Sequence, residues 1–140
     1  MHPDRLHIEP TRRTPRVLLE KGRIFVMGRS ISENPGSFYE SIHDWVAAYA
    51  KSWPGKTKIE LGFEYINTGS IKWLYMLLRD FSEMSNIPED ITITWYYEEG
   101  DEDMSELGYI IKSLIESPFS IVRVEDMNED LYRSFLSKPV

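Results

Sequence analysis

Lys58-Ile59-Glu60-Leu61-Gly62-Phe63-Glu64-Tyr65-Ile66-Asn67-Thr68-Gly69-Ser70-Ile71-Lys72-Trp73-Leu74-Tyr75 changes its hydrophobic period halfway along. Up to Tyr65 the apolar residues Ile59, Leu61, Phe63 and Tyr65 alternate with Lys58, Glu60, Gly62 and Glu64, the period of a strand with one buried and one wet face. From Gly69 to about Met84 the spacing becomes helical, with Ile71, Leu74, Tyr75, Leu78 and Phe81 on one stripe. Asn67, Thr68, Gly69 and Ser70 therefore fall at a helix N-terminus, where free backbone N–H groups and the helix dipole favour negative charge. Such a place either binds an anion or accepts a phosphoryl group covalently.

The same strand design returns at Ile91, Ile93, Trp95 and Tyr97, alternating with Thr92, Thr94 and Tyr96. Strands covered on both faces read as continuous apolar runs, so this alternation predicts helices mainly on one side of the sheet. A helix between two such strands implies a right-handed parallel crossover. Upstream, Val17-Leu18-Leu19 and Ile24-Phe25-Val26-Met27 flank Glu20-Lys21-Gly22-Arg23, a β-hairpin pattern, with Leu6 to Glu9 as a short strand before it. Gly28 to Gly36 reads as a polar loop. Ser37 with Glu40 has the capping-box spacing, and Phe38, Ile42, Trp45, Val46 and Tyr49 share a helical face that Pro54-Gly55 closes. A helix over Glu102–Glu116, presenting Met104, Leu107, Ile111 and Leu114, a strand over Phe119–Val124 and a closing helix over Met127–Leu136 complete the order. The expectation is a single α/β domain over residues 1–140, a mixed sheet with helices packed mainly on one face.

Composition narrows the function. A net charge of −7 argues against a nucleic-acid backbone as partner. With no cysteine there is no disulfide, thiol chemistry or thiolate metal site. Met1 to Pro10 lacks the apolar stretch of a signal peptide, and no apolar run reaches membrane-spanning length, so a cytoplasmic protein is expected. His2, His7 and His43 are scattered, His43 on the polar side of its helix where exposure is expected, and no phosphate-loop, dinucleotide or nucleophile-elbow motif occurs. No cofactor and no metal is expected.

Four segments together resemble the SiaC-type regulatory phosphoproteins of bacteria. They are Thr14-Pro15; Gly28-Arg29-Ser30 with Glu33-Asn34; Tyr65-Ile66-Asn67-Thr68 with Ser70 and Lys72; and Trp95-Tyr96-Tyr97-Glu98-Glu99 with Asp101-Glu102-Asp103-Met104. The resemblance implies a STAS-like fold, that of the anti-sigma-factor antagonists. It implies phosphorylation of Thr68 by a partner protein kinase and dephosphorylation by a metal-dependent phosphatase. It implies that the unphosphorylated form binds and stimulates a diguanylate cyclase, which would place the chain in cyclic di-GMP signalling and biofilm regulation.

Physical chemistry supports a switch at this position. Phosphorylation adds about −1.5 to −2 charges, and a helix N-terminus favours that charge by about 0.3–1 kcal/mol, so the fold should survive it. Asn67, Gly69, Ser70 and Lys72, with Arg29, Glu33 and Asn34, form the expected switch surface, Lys72 lying one turn after Thr68. Two readings compete locally: an N-cap without phosphorylation, and Ser70 as rival acceptor. Trp73 and Met76 fall outside the apolar stripe and are expected as partner-binding residues, unless neighbouring helices bury them. The acidic run Glu98, Glu99, Asp101, Glu102 and Asp103 suits the start of a helix, a weak metal site or a surface for a basic partner. Two functional alternatives follow: a phosphorylation-independent interaction adaptor, and a small metal-dependent enzyme built on Asp101 and Asp103.

Overall fold

Strand β2 (Arg16–Glu20) turns through Lys21-Gly22 into β3 (Arg23–Ser30), pairing Glu20 with Arg23. Gly22 has φ 82°, which only glycine adopts without strain, so the hairpin sits where the residue pattern put it. β1 (Leu6–Ile8) adds antiparallel to β2. From β3 the chain alternates helix and strand: α1 (Pro35–Lys51), β4 (Thr57–Ile66), α2 (Thr68–Glu83), a single 3-10 turn (Pro88–Asp90), β5 (Ile91–Glu98), α3 (Glu102–Leu114), β6 (Phe119–Val124) and α4 (Glu129–Ser137). The computed structural model describes residues 3–52, 55–85 and 87–137. His2 and Pro54 lie outside them.

The six strands lie in sequence order, β1-β2-β3-β4-β5-β6. β3, β4, β5 and β6 are mutually parallel, so each helix between them runs back antiparallel to the strands. One face of the sheet, with Val17, Leu19, Ile24, Val26, Ile59, Leu61, Phe63, Ile93 and Trp95, meets α1, α2 and α3 in the main core. The other face carries a smaller cluster in which Leu18, Phe25 and Met27 meet Met127, Tyr132 and Phe135 of the α4 segment. The mixed α/β sheet with helices mainly on one face is therefore present, and α4 is the exception. It comes close because Gly62 offers no side chain: a Cβ there would lie 2.6 Å from the Met127 sulfur. Beneath it the buried Arg16 guanidinium pairs with Glu129 at 2.7 Å and stacks over the Tyr132 ring.

Several expectations are corrected. Gly28–Ser30 is strand, not loop: β3 continues to Ser30, so the connection is short. α1 starts at Pro35 with Asn34 as its cap, Asn34 Oδ1 accepting from the Ser37 N–H at 3.4 Å, so Ser37 is inside the helix. α1 ends at Lys51, and Tyr39 is a core residue the wheel omitted. The alternation of β4 breaks because Gly28 pairs with Phe63 while Arg29 pairs with Tyr65, leaving Glu64 as an extra residue. That bulge turns Tyr65 outward, 62% exposed, and sends Ile66 toward the core. Glu60 and Tyr96, expected on a wet face, are buried there, the Tyr96 hydroxyl donating to Glu60 Oε1 at 2.8 Å. Burial, and next to it this hydrogen bond and the Glu60 charge, push the Tyr96 pKa upward. Leu77 joins the core face of α2, whereas Leu114 of α3 is 57% exposed.

Candidate functional site

The C-terminal ends of β3 and β4 lie side by side, and each leads into a helix. Asn67 joins the two exits. Its backbone N–H donates to the Ser30 carbonyl at 2.9 Å, and its side-chain Nδ2 donates to the Ser32 carbonyl at 2.9 Å. Its Oδ1 accepts from the Ser70 N–H at 2.9 Å and so caps α2. Pro35 packs over Gly69, where an added Cβ would lie 3.1 Å from Pro35 Cγ. The N-termini of α1 and α2, capped by Asn34 and Asn67, are thereby neighbours.

Thr68 is the first residue of α2 and is exposed. Because Asn67 supplies the cap, no described residue hydrogen-bonds to the Thr68 hydroxyl. Ser70 is the opposite case: it is fully buried, and its hydroxyl is sealed in without a hydrogen-bond partner among the described residues. Two hydroxyls near the helix start thus differ completely in access, and only that of Thr68 can meet a second protein.

The other expected site residues divide. Gly69 sits beside Thr68, exposed, and Lys72 is exposed one turn further, without an ion pair among the described residues. Arg29 does not reach for this hydroxyl. Its Nε donates to Glu64 Oε2 at 2.9 Å and its guanidinium lies over the Tyr65 ring. Arg29 thus borders a shallow 590 Å³ cavity with Glu98, Glu99 and Asp101. Glu33 lies 3.8 Å from Arg13. Trp73 is half-buried on the α1 side of α2, stacked on Tyr39 at 6.5 Å and edge-on to His43 at 5.1 Å. Gly36 lets it approach, since a Cβ there would lie 3.2 Å from the indole. Met76, half-buried, is on the same flank by helical period. His43, expected exposed, is instead wedged between the helices: its Nε2 faces the Trp73 carbonyl at 3.3 Å and its Nδ1 lies 3.7 Å from Asp80.

The acidic run has structural employment. Asp101 caps α3, its Oδ1 accepting from the Met104 N–H at 3.1 Å, and Glu102 and Asp103 occupy the first turn. Glu98 Oε2 accepts from the Met127 N–H at 3.0 Å, tying the start of the α4 segment to β5. Among the described residues no three His, Asp or Glu side chains converge on a metal position. No described helix is long and apolar enough to cross a membrane.

Ser32 and Pro35 are not among the switch-surface residues expected from sequence, yet both shape the site. The signal was present in Asn34-Pro35-Gly36, since Asn before a proline at the first helical position is a start signature.

Residues 8–124 match the model of the SiaC family of regulatory phosphoproteins. An uncharacterized protein of Pseudomonas aeruginosa strain UCBPP-PA14 is 27% identical over 118 residues, covering 83% of this chain and 94% of its own length. The structure of SiaC of Pseudomonas aeruginosa superposes with a TM-score of 0.79 at 25% identity, over 87% of this chain and all (100%) of that one. A chain in the crystal structure of the diguanylate cyclase SiaD in complex with its activator SiaC, from the same organism, superposes with a TM-score of 0.78 at 26% identity, over 85% of this chain and 99% of that one.

Proposed function

We propose that this chain, which belongs to the SiaC family of regulatory phosphoproteins, is a cytoplasmic switch whose Thr68 hydroxyl is the phosphate acceptor. The observation that carries the reading is the division of labour at the start of α2. Asn67 does the capping, Ser70 is sealed, and of the two hydroxyls in the first turn of α2 Thr68 presents the exposed one, which no described residue engages. A kinase can reach that oxygen without unfolding anything, and a metal-dependent phosphatase can reach the product. The added charge of about −1.5 to −2 falls at the positive end of the α2 dipole, so the domain keeps its fold while its docking surface changes sign.

In this reading the unphosphorylated form binds and stimulates a diguanylate cyclase, raising cyclic di-GMP and with it biofilm formation. The complex of SiaD with its activator SiaC supports a cyclase as the class of partner. The chain itself performs no catalysis. The docking role expected for Trp73 is not needed, because its indole is taken up by α1. The phosphorylation-independent adaptor remains the rival. It shares every contact described and differs only in what Thr68 does.

The test has two arms. Incubation with a cognate protein kinase and ATP, followed by peptide mapping, should place phosphate on Thr68. Thr68→Asp should then abolish stimulation of cyclic di-GMP synthesis from GTP by the purified diguanylate cyclase of the same genome. Stimulation retained by Thr68→Asp and by the phosphorylated chain would establish the adaptor instead.

A further inference from the structure

On the sheet face opposite α1, α2 and α3, β2 and β3 present Leu18, Phe25 and Met27. The two strands run antiparallel, so Arg16 and Arg23 stand at opposite ends of this apolar patch. α4 lies along that line. Glu129 in its first turn meets the Arg16 guanidinium at 2.7 Å. Tyr132 and Phe135 pack on Phe25, with ring centroids 5.1 and 4.8 Å apart. The Leu136 carbonyl, in the last turn, accepts from Arg23 Nη1 at 3.1 Å. Each guanidinium also lies over an aromatic ring, Arg16 over Tyr132 at 4.3 Å and Arg23 over Phe135 at 5.6 Å. Glu129, Tyr132 and Phe135 are spaced by three and share one side of the helix, so the sheet reads a carboxylate and two aromatics in fixed register.

This helix is attached differently from the others. α1, α2 and α3 each connect two neighbouring strands, so none can leave without tearing the sheet. α4 follows the last strand, and among the described residues no backbone–backbone hydrogen bond joins it to the sheet. The match to the SiaC family ends at residue 124, before α4 begins. Nine residues are too few for a helix to persist alone in water, so α4 is helical only while seated. Its release breaks ion pairs and aromatic packing but no strand ladder, and uncovers an apolar patch between two cations. Arg16 is 8% exposed beneath it. A buried guanidinium adds little to the stability of a permanent core, yet it discriminates sharply between helices that bring a carboxylate and helices that do not.

We propose that the β2–β3 patch is a docking site for an amphipathic helix of another protein, and that α4 is a displaceable strap which holds the site until that helix arrives. The incoming helix carries a carboxylate in its first turn and aromatic residues three and six positions later, the pattern of Glu129, Tyr132 and Phe135. α4 is the template: whatever replaces it must satisfy Arg16 and Arg23 and cover Phe25 equally well. The tether from β6 gives α4 an effective concentration of about millimolar order, so a free helix binds tightly only once the strap is out of the way. The site lies across the sheet from α2, so it does not compete with docking at Thr68, and one chain can hold two proteins at once.

The test uses the full-length wild type, full-length Phe135→Asp, and a labelled synthetic peptide that keeps only glutamate, tyrosine and phenylalanine at that spacing on an alanine and lysine background. Phe135→Asp, which unseats the strap, should stay folded by near-ultraviolet circular dichroism. It should bind the peptide at least about tenfold more tightly than the wild type does, because the tethered competitor is gone. Changing the peptide's glutamate to lysine should cost at least about tenfold in that binding. In the wild type alone, amide hydrogen exchange over 129–137 should run at least about tenfold faster than over β2 and β3, the mark of a local opening. Loss of the whole fold in Phe135→Asp, or α4 exchanging only as fast as the strands, would show α4 to be a fixed part of the core and overturn the strap. Peptide binding that is absent, or indifferent to the glutamate, would overturn the docking site. Concentration-dependent dimerisation of the wild type, lost in Phe135→Asp, would make α4 of a second copy the occupant and overturn the partner helix.

Discussion

Asn67→Ala and Thr68→Ala, adjacent substitutions at the start of α2, should differ sharply in cost, and the difference tests the site's internal logic. Asn67→Ala removes two side-chain hydrogen bonds, from the Ser70 N–H and to the Ser32 carbonyl, both 2.9 Å, and leaves the backbone bond to Ser30. Loss of an N-cap costs about 1 kcal/mol, and loss of a neutral bond that orders the 31–34 loop about another. The sum is about 2 kcal/mol, which for a domain of this size lowers the melting temperature by roughly 6 °C. Thr68→Ala removes an exposed hydroxyl that no described residue engages, so its effect should stay within about 0.5 kcal/mol. Urea unfolding followed by tryptophan fluorescence measures both, with unchanged slopes confirming that only stability moved. A loss above about 1 kcal/mol for Thr68→Ala with a smaller one for Asn67→Ala would mean that Thr68 is the cap, against the geometry described.

Three further outcomes can be measured alongside. Gly108→Ala should destabilise by about 1–3 kcal/mol in chemical denaturation despite the better helix propensity of alanine, because the new Cβ would sit 2.6 Å from Trp95 Cδ1, and that fully buried indole is held by its 2.9 Å bond to the Met104 carbonyl. Trp73→Ala, expected from sequence to affect partner binding more than folding, should instead lower stability by about 2 kcal/mol by differential scanning calorimetry as the α1–α2 seam loosens. Alkaline unfolding should begin near pH 10: burial raises the Tyr39 pKa from 10.0 to about 12 against the lowering effect of its bond to Ser30, and Tyr96 is also raised. The unfolded chain then releases those protons first, so stability is full below pH 10 and falls as the pH climbs toward 12, by about 2–3 kcal/mol for Tyr39; Tyr39→Phe should flatten that fall in pH-dependent denaturation curves.

Much of this architecture was legible because its signals are local. The change of period between Tyr65 and Ile71 marks the strand–helix junction, and β6 occupies Phe119–Val124 as its residue pattern indicates. What the pattern hid arises from contacts between distant residues. Glu60 and Tyr96 look like the wet side of two strands, but they pair across the β4–β5 boundary, and the α4 side of the sheet buries part of that face. Tyr65 looks like a core residue until the extra Glu64 against β3 rotates it out. A bulge is a property of two strands together, so neither strand's own alternation can reveal it. At the site, Thr68 could be picked out from sequence, but its freedom could not. That freedom depends on Asn67 capping α2 while also holding Ser32, residues separated by the whole of α1 and β4.

The same division explains why a charge can be added here cheaply. At most hydroxyls near a helix start the oxygen already accepts from the backbone, and phosphorylation would exchange a fold-stabilising bond for a phosphate. In this chain the cap is an amide one residue earlier, so modification and stability are carried by different side chains. Ser70 shows the contrary design: its hydroxyl is enclosed, and a phosphate there would have to displace core packing around Leu74 and Leu77. A switch that must cycle repeatedly needs both forms folded, which favours an acceptor outside the hydrogen-bond framework and beside an unpaired cation. Thr68, with Lys72 one turn on and unpaired among the described residues, meets both requirements of the proposed switch, and Arg29, already committed to Glu64, would not compete for a phosphate there. Affinity for partners can then change through charge alone, with the sheet and its helices left as they are.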